Sequence, residues 1–292
     1  MQGRFIADDN GMFQGDPDLP PVLLHRPILT LVRSTLLGKV IQGSEEYMGL
    51  FVALCFGIKD GLKTEILEAF RLSGTSHVLA LSGMHAGILV LFLHGLLKPF
   101  LGAPVRRVVI GFILLLYTFL VGPFPSLVRA VAMYGLHTLA SLTGRKISSL
   151  DLLALTFLLT CLLFPATIAS YSNLLSYAAV TGIFLFTPSL QRYARRFLCE
   201  PLLTAASLSL SAQIFTAPLS ILLFSRLPLF GWVASILLSL PVSVFMWLGI
   251  LSYTAGGVPV LNGCLQGILE FLYTSILYVA NVFASAPAVQ VP

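Results

Sequence analysis

An all-α, polytopic bundle of transmembrane helices is the fold class this sequence predicts, and three observations predict it. Apolar residues fill 57% of the 292 positions and charged residues only 10%, where a soluble domain has about 45–50% and about 25%. Beyond a mixed-charge segment at 59–71, the chain is almost wholly apolar to its end. That apolar part divides into runs near the roughly 20 residues a helix needs to cross a bilayer. About eight spans are expected, at 78–97, 105–122, 126–143, 150–164, 168–187, 200–224, 229–255 and 262–285. An amphipathic helix and a short interfacial or re-entrant helix are expected before them.

The elements follow in order. Residues 1–24 read as a polar lead with Asp8, Asp9, Asp16 and Asp18, a hairpin signal at Asn10-Gly11 and a stiff linker at Pro17, Pro20 and Pro21. Residues 25–292 read as one membrane-embedded domain. Ile28, Leu31, Leu36 and Leu37, set against Arg26, Arg33 and Lys39, suit an amphipathic helix over 26–43. Tyr47–Ile58 is apolar but too short to cross. Gly122-Pro123-Phe124-Pro125 is a tight turn that makes the runs before and after it antiparallel. Pro218 and Pro241 fall inside apolar runs, where a missing N–H and a ring clash kink a helix.

Orientation follows from basic residues in the short loops. Lys98, Arg106, Arg107, Arg145, Lys146, Arg192, Arg195 and Arg196 fall after spans one, three and five, whereas the alternate loops hold only Arg226. The basic loops are therefore expected in the cytoplasm, and both termini on the outer face. This rests on eight crossings. The four cysteines, Cys55, Cys161, Cys199 and Cys264, form no CxxC, so the sequence indicates neither a zinc site nor a disulfide framework.

The chain enters its apolar part through Ser73-Gly74-Thr75-Ser76-His77-Val78-Leu79-Ala80-Leu81-Ser82-Gly83-Met84-His85. Polar groups in hydrocarbon are costly unless satisfied, so this entry is expected to face protein or a wet cavity. His77 and His85 share a face if one helix carries both. They read either as histidines hydrogen-bonded in a polar interior or as two of the ligands of a metal; with no carboxylate nearby and no HExxH, no metal is expected. Ser82-Gly83 admits a packing site or a serine nucleophile; His85 or His137 would be its base.

Arg129 lies one turn into the third run. Arginine at the centre of a span costs roughly 2.5–3.5 kcal/mol on insertion scales. It either snorkels to the interface or presents a cation to an anion path, beside Ser126 and the free amides of its helix start. In the 200–224 run Ser209, Gln213, Thr216 and Ser220 recur at helical spacing, with Thr204, Ser207 and Ser211 as a second stripe; Asn173 and Ser176 mark the 168–187 run. Such stripes are interhelical glue worth about 0.6 kcal/mol a bond, or they wet a pore wall.

Gly74 to His85 resembles the signature of the ComEC competence family, the inner-membrane channel for DNA uptake in bacterial transformation. The resemblance extends over roughly 45–255: Ala53-Leu54-Cys55-Phe56-Gly57, Ser126-Leu127-Val128-Arg129-Ala130, Leu175-Ser176-Tyr177-Ala178 and Ser211-Ala212-Gln213 with Pro218 follow the family's order. Leu174 and Ile236 stand where the family often has glutamine and asparagine. Full-length members add an outer N-terminal domain and frequently a C-terminal nuclease, so the chain resembles the competence domain alone. What this implies is a non-enzymatic channel passing single-stranded DNA into the cytoplasm, without cofactors, with membrane lipids around it. A cytoplasmic ATPase or helicase and an outer DNA-receptor protein would be its partners, since the chain has no Gly-x-x-x-x-Gly-Lys-[Ser/Thr]. The implied path is lined by His77, Ser82, Gly83, His85, Arg129, Ser176, Ser209, Gln213 and Thr216. Ala80-Leu81-Ser82-Gly83 also resembles the nucleophile segment of rhomboid-like intramembrane serine proteases, one alternative; a small-molecule permease is another.

Overall fold

The computed structural model describes residues 46–59, 61–165, 168, 170–195, 199–254 and 259–290. The polar lead at 1–24 and the amphipathic helix at 26–43 lie outside the described residues. Each of the eight apolar runs forms a helix. Three short helices precede them: α1 (Glu46–Phe56), α2 (Thr64–Leu72) and α3 (Ser76–Leu79). Then come α4 (Gly83–Leu97), α5 (Ala103–Val121), α6 (Pro125–Leu142), α7 (Ser149–Leu163), α8 (Tyr171–Ala194), α9 (Glu200–Phe224), α10 (Gly231–Thr254) and α11 (Pro259–Ala284).

Five of these, in α5, α8, α9, α10 and α11, are long and apolar enough to cross a membrane. The expectation of eight crossings is thus met in part. α4 and α7 have 15 residues each, about 22 Å at 1.5 Å per residue, against a hydrocarbon core of about 30 Å. α6 has 18 residues but carries Arg129 and His137. The run expected at 78–97 is short because the backbone leaves the helix at Ala80 (ψ 139°) and re-enters after Ser82 (φ −120°, ψ 170°).

Two packed clusters organise the bundle. The larger joins α1, α2 and α3 to α10 and α11 around Leu50, Leu54, Phe70, Phe245, Leu238, Leu269 and Ile276. α1 is buried on all its faces, Leu50 and Ala53 wholly so. It is therefore not a helix lying on a membrane surface. It is enclosed by protein, as an apolar segment without an amphipathic face must be. The smaller cluster joins α4, α5 and α6 around Ala86, Ile110, Leu114, Leu127 and Val131. Gly122, with φ 115°, ends α5, and Pro125 takes the first turn of α6. A glycine in that region and a proline at a helix start meet no steric penalty, and α5 and α6 pack against each other as the turn predicts.

Two short strands were not expected. β1 (Arg226–Pro228) pairs antiparallel with β2 (Ala288–Gln290), joining the loop after α9 to the end of α11. Three residues per strand are too few for a periodic signal, and Pro228 sits at the end of its strand. Pro218 and Pro241 lie inside continuous helices, as does Pro188 in α8. Outside the spans, the hydrogen bond that Lys63 donates to the Glu46 carboxylate holds this exposed lysine above the usual range.

Candidate functional site

The break at 80–82 shapes the site. Because the chain is extended there, His77 and His85 sit on different helices, α3 and α4, and do not share one helix face. His77 Nε2 lies 3.4 Å from Ser235 Oγ on α10. Ser82 becomes the N-cap of α4 and forms a capping box with His85. The Ser82 backbone N–H donates to His85 Nδ1 at 3.2 Å, and Ser82 Oγ lies 3.0 Å from the same nitrogen. With Nδ1 accepting, neutral His85 carries its proton on Nε2. That nitrogen is buried and has no hydrogen-bond partner, and His85 as a whole is 1% exposed.

Arg129 reaches the same place from α6. It is 6% exposed, too little for snorkelling. It donates to Ser176 Oγ on α8 and lies 5.6 Å from the centre of the Tyr177 ring. Its Nε is buried and unpartnered. Its Nη2 is 3.5 Å from where a Cβ on Gly83 would stand. Among the described residues the ion pairs are Lys63–Glu46, Arg71–Glu68 and Arg195–Glu200, so no carboxylate neutralises this guanidinium. Ser126, one turn earlier, donates to the Leu81 carbonyl and so fixes the start of α6 against the break.

Ser82, Gly83, His85, Arg129 and Ser176 therefore converge. Tyr177, not singled out by sequence, completes the group; its hydroxyl is 2.9 Å from Thr160 Oγ1, and its ring meets Phe157 edge-on at 5.2 Å. The signal was its place directly after Ser176. His137 is exposed and is not a partner of Ser82. No three His, Cys, Asp or Glu side chains come together among the described residues.

The α9 residues sit apart from this group. Gln213 donates to the Pro228 carbonyl at 2.9 Å and ties α9 to the ribbon. Thr216 turns back on the Ala212 carbonyl at 2.9 Å. Ser209 is half-buried. The buried polar face of α9 is the second stripe, Ser207 and Ser211. Ser211 accepts from Thr187 of α8 at 3.1 Å. The ribbon meanwhile covers the entry loop: Gly74, at φ 78°, is so close to Pro228 that a Cβ there would stand 2.8 Å from the proline ring.

The model of the Competence protein family matches residues 54–292. An uncharacterized protein of Aquifex aeolicus (strain VF5) is 36% identical over 144 residues, 48% of this chain and 34% of that protein. ComE operon protein 3 of Bacillus subtilis (strain 168) is 29% identical over 148 residues, 49% of this chain and 19% of that protein. The chain thus spans about a third or less of the length of these relatives. No solved structure matches. A family model that runs from the last turn of α1 to the end of the chain takes in the smaller packed cluster, most of the larger one and every residue of the group around Arg129: the chain belongs to the Competence protein family.

Proposed function

We propose that the chain forms the inner-membrane channel through which single-stranded DNA enters the cytoplasm during transformation, and that it is not itself an enzyme. Membership of the Competence protein family supports a role in DNA uptake. The observation that carries the channel reading is Arg129: a buried cation among apolar helices, with no carboxylate paired to it among the described residues. An uncompensated buried charge is destabilising, and intramembrane ionisable residues mark ion and substrate pathways. A polyanionic strand is the substrate class that would neutralise it in transit. A cytoplasmic ATPase or helicase and an outer DNA receptor would supply force and substrate.

A second reading, an intramembrane serine protease, draws on the 3.0 Å contact between Ser82 Oγ and His85 Nδ1. The capping box explains that contact without chemistry. One set of alleles separates the two. Deleting the gene is expected to abolish transformation while DNA still accumulates, nuclease-protected, outside the inner membrane. Ser82→Gly should retain most function, because glycine is nearly as good an N-cap, and Ser82→Leu should lose it. Total loss in Ser82→Gly at normal membrane abundance would favour the nucleophile.

The proposed orientation puts 59–71 outside and the Arg192–Arg195 end of α8 in the cytoplasm. In a protein with its native cysteines replaced, an impermeant thiol reagent added to spheroplasts is expected to label Lys63→Cys and not Arg195→Cys. The reverse pattern would invert the topology.

A further inference from the structure

The first turn of α4 gathers more donors than its capping box satisfies. By helix geometry the N–H groups of Gly83 and Met84 have no partner within the helix, and the dipole adds partial positive charge there. From α6, Arg129 brings its guanidinium to Gly83, with Nε buried and unpartnered. A buried donor without an acceptor is destabilising, and Arg129 Nε is one, on the side chain that meets this helix start. The guanidinium and the amides of this helix start are two independent donor sets at one place, and together they imply an acceptor of full negative charge.

Resting on the channel reading above, we propose that this place is a binding site for a single phosphodiester group, held by the Arg129 guanidinium and the amides that open α4. Gly83 belongs to the site because it has no side chain. A Cβ there would contact Arg129 Nη2 at 3.5 Å and the Ala130 Cβ at 3.7 Å. An alanine fits without displacing either, but it occupies the space between the helix start and the guanidinium. A valine fills that space. The shared chemistry is a phosphodiester monoanion, which a DNA strand and a phosphatidylglycerol headgroup both carry. The site is built for one such group, because the capping box already uses the Ser82 hydroxyl and the His85 backbone N–H.

The whole chain, purified in detergent and placed in phosphatidylcholine nanodiscs, would be titrated with a fluorescein-labelled oligothymidylate and followed by anisotropy. A matched oligonucleotide with a methylphosphonate backbone has the same shape and no charge. Wild type is expected to bind the first at least tenfold more tightly than the second. Arg129→Gln and Gly83→Val should each lose at least tenfold, Gly83→Ala less, and Arg129→Lys should recover part of the loss. Thermal melting of each variant shows whether it is folded. Folded Arg129→Gln and Gly83→Val proteins that bind like wild type would overturn the site and leave the channel reading intact. The second titration adds phosphatidylglycerol and reads headgroup binding by native mass spectrometry. If wild type binds that lipid and no oligonucleotide, with the same loss in Arg129→Gln, the phosphodiester site stands and the channel reading fails.

Discussion

Arg129→Met is expected to leave the protein folded, or to make it slightly more stable, while lowering transformation about a hundredfold. The two effects have one physical origin. Methionine keeps most of the length of the side chain and none of its charge, so no large cavity opens. A guanidinium at 6% exposure with a hydroxyl and an aromatic ring as its partners is held against a cost of roughly 2.5–3.5 kcal/mol on insertion scales. Removing it relieves that cost, and Tyr177 keeps its bond to Thr160. If the same energy is recovered when a phosphate reaches the site, its loss corresponds to about two powers of ten at 1.4 kcal/mol each. Arg129→Lys separates charge from shape. A lysine keeps the charge but not the fork that meets Ser176 on one side and Gly83 on the other, so an intermediate frequency is expected. Transformation frequency, membrane abundance and melting temperature of the purified protein are the three measurements. Wild-type transformation by Arg129→Met at normal abundance would remove Arg129 from the DNA path.

Much of this site was legible in the sequence, for a reason that applies to any apolar chain. Where almost every residue is hydrophobic, each polar one stands out, and Ser82, His85, Arg129 and Ser176 were visible for that reason. Their grouping was not. Ser176 and Arg129 are 47 positions apart, and no periodicity records a contact between helices. The backbone break at 80–82 was invisible because Ala80-Leu81-Ser82 contains no proline, and its single glycine, Gly83, follows the break; the helix propensity there gave way to the N-cap that Ser82 makes for α4. The length of α1 is written in the sequence and allows an interfacial or a re-entrant helix; its surroundings are not, and burial by α10 and α11 excludes the first. The Gln213 stripe was read from spacing alone. Spacing identifies a face but not what covers it, and here the ribbon carbonyl of Pro228 takes the glutamine amide.

Glycines illustrate the same limit, and one of them should carry a large stability effect. Gly182→Leu is expected to lower the melting temperature of the detergent-purified protein by about 6–12 °C, taking roughly 3 kcal/mol of overpacking at the upper end of the usual range. Gly182 lies on α8 where it meets α9. A Cβ at that position would stand 2.5 Å from the Phe215 Cβ and 2.6 Å from the Ser211 carbonyl oxygen. Neither is the far end of a flexible side chain, so the two helices would have to separate. Separation would also break the Thr187–Ser211 bond and part the Phe186 and Phe215 rings, now 6.2 Å apart. Close backbone approach at a small residue is how membrane helices gain packing that lipid cannot replace. Gly135→Leu is the control. It is also a helical glycine, on α6, but nothing lies within 4 Å of its absent Cβ, and leucine has the higher helix propensity. Its melting temperature should stay the same or rise. Equal losses in the two variants would mean that leucine is harmful whether or not a neighbour faces the site, and the close approach of α8 to α9 would then lose its support.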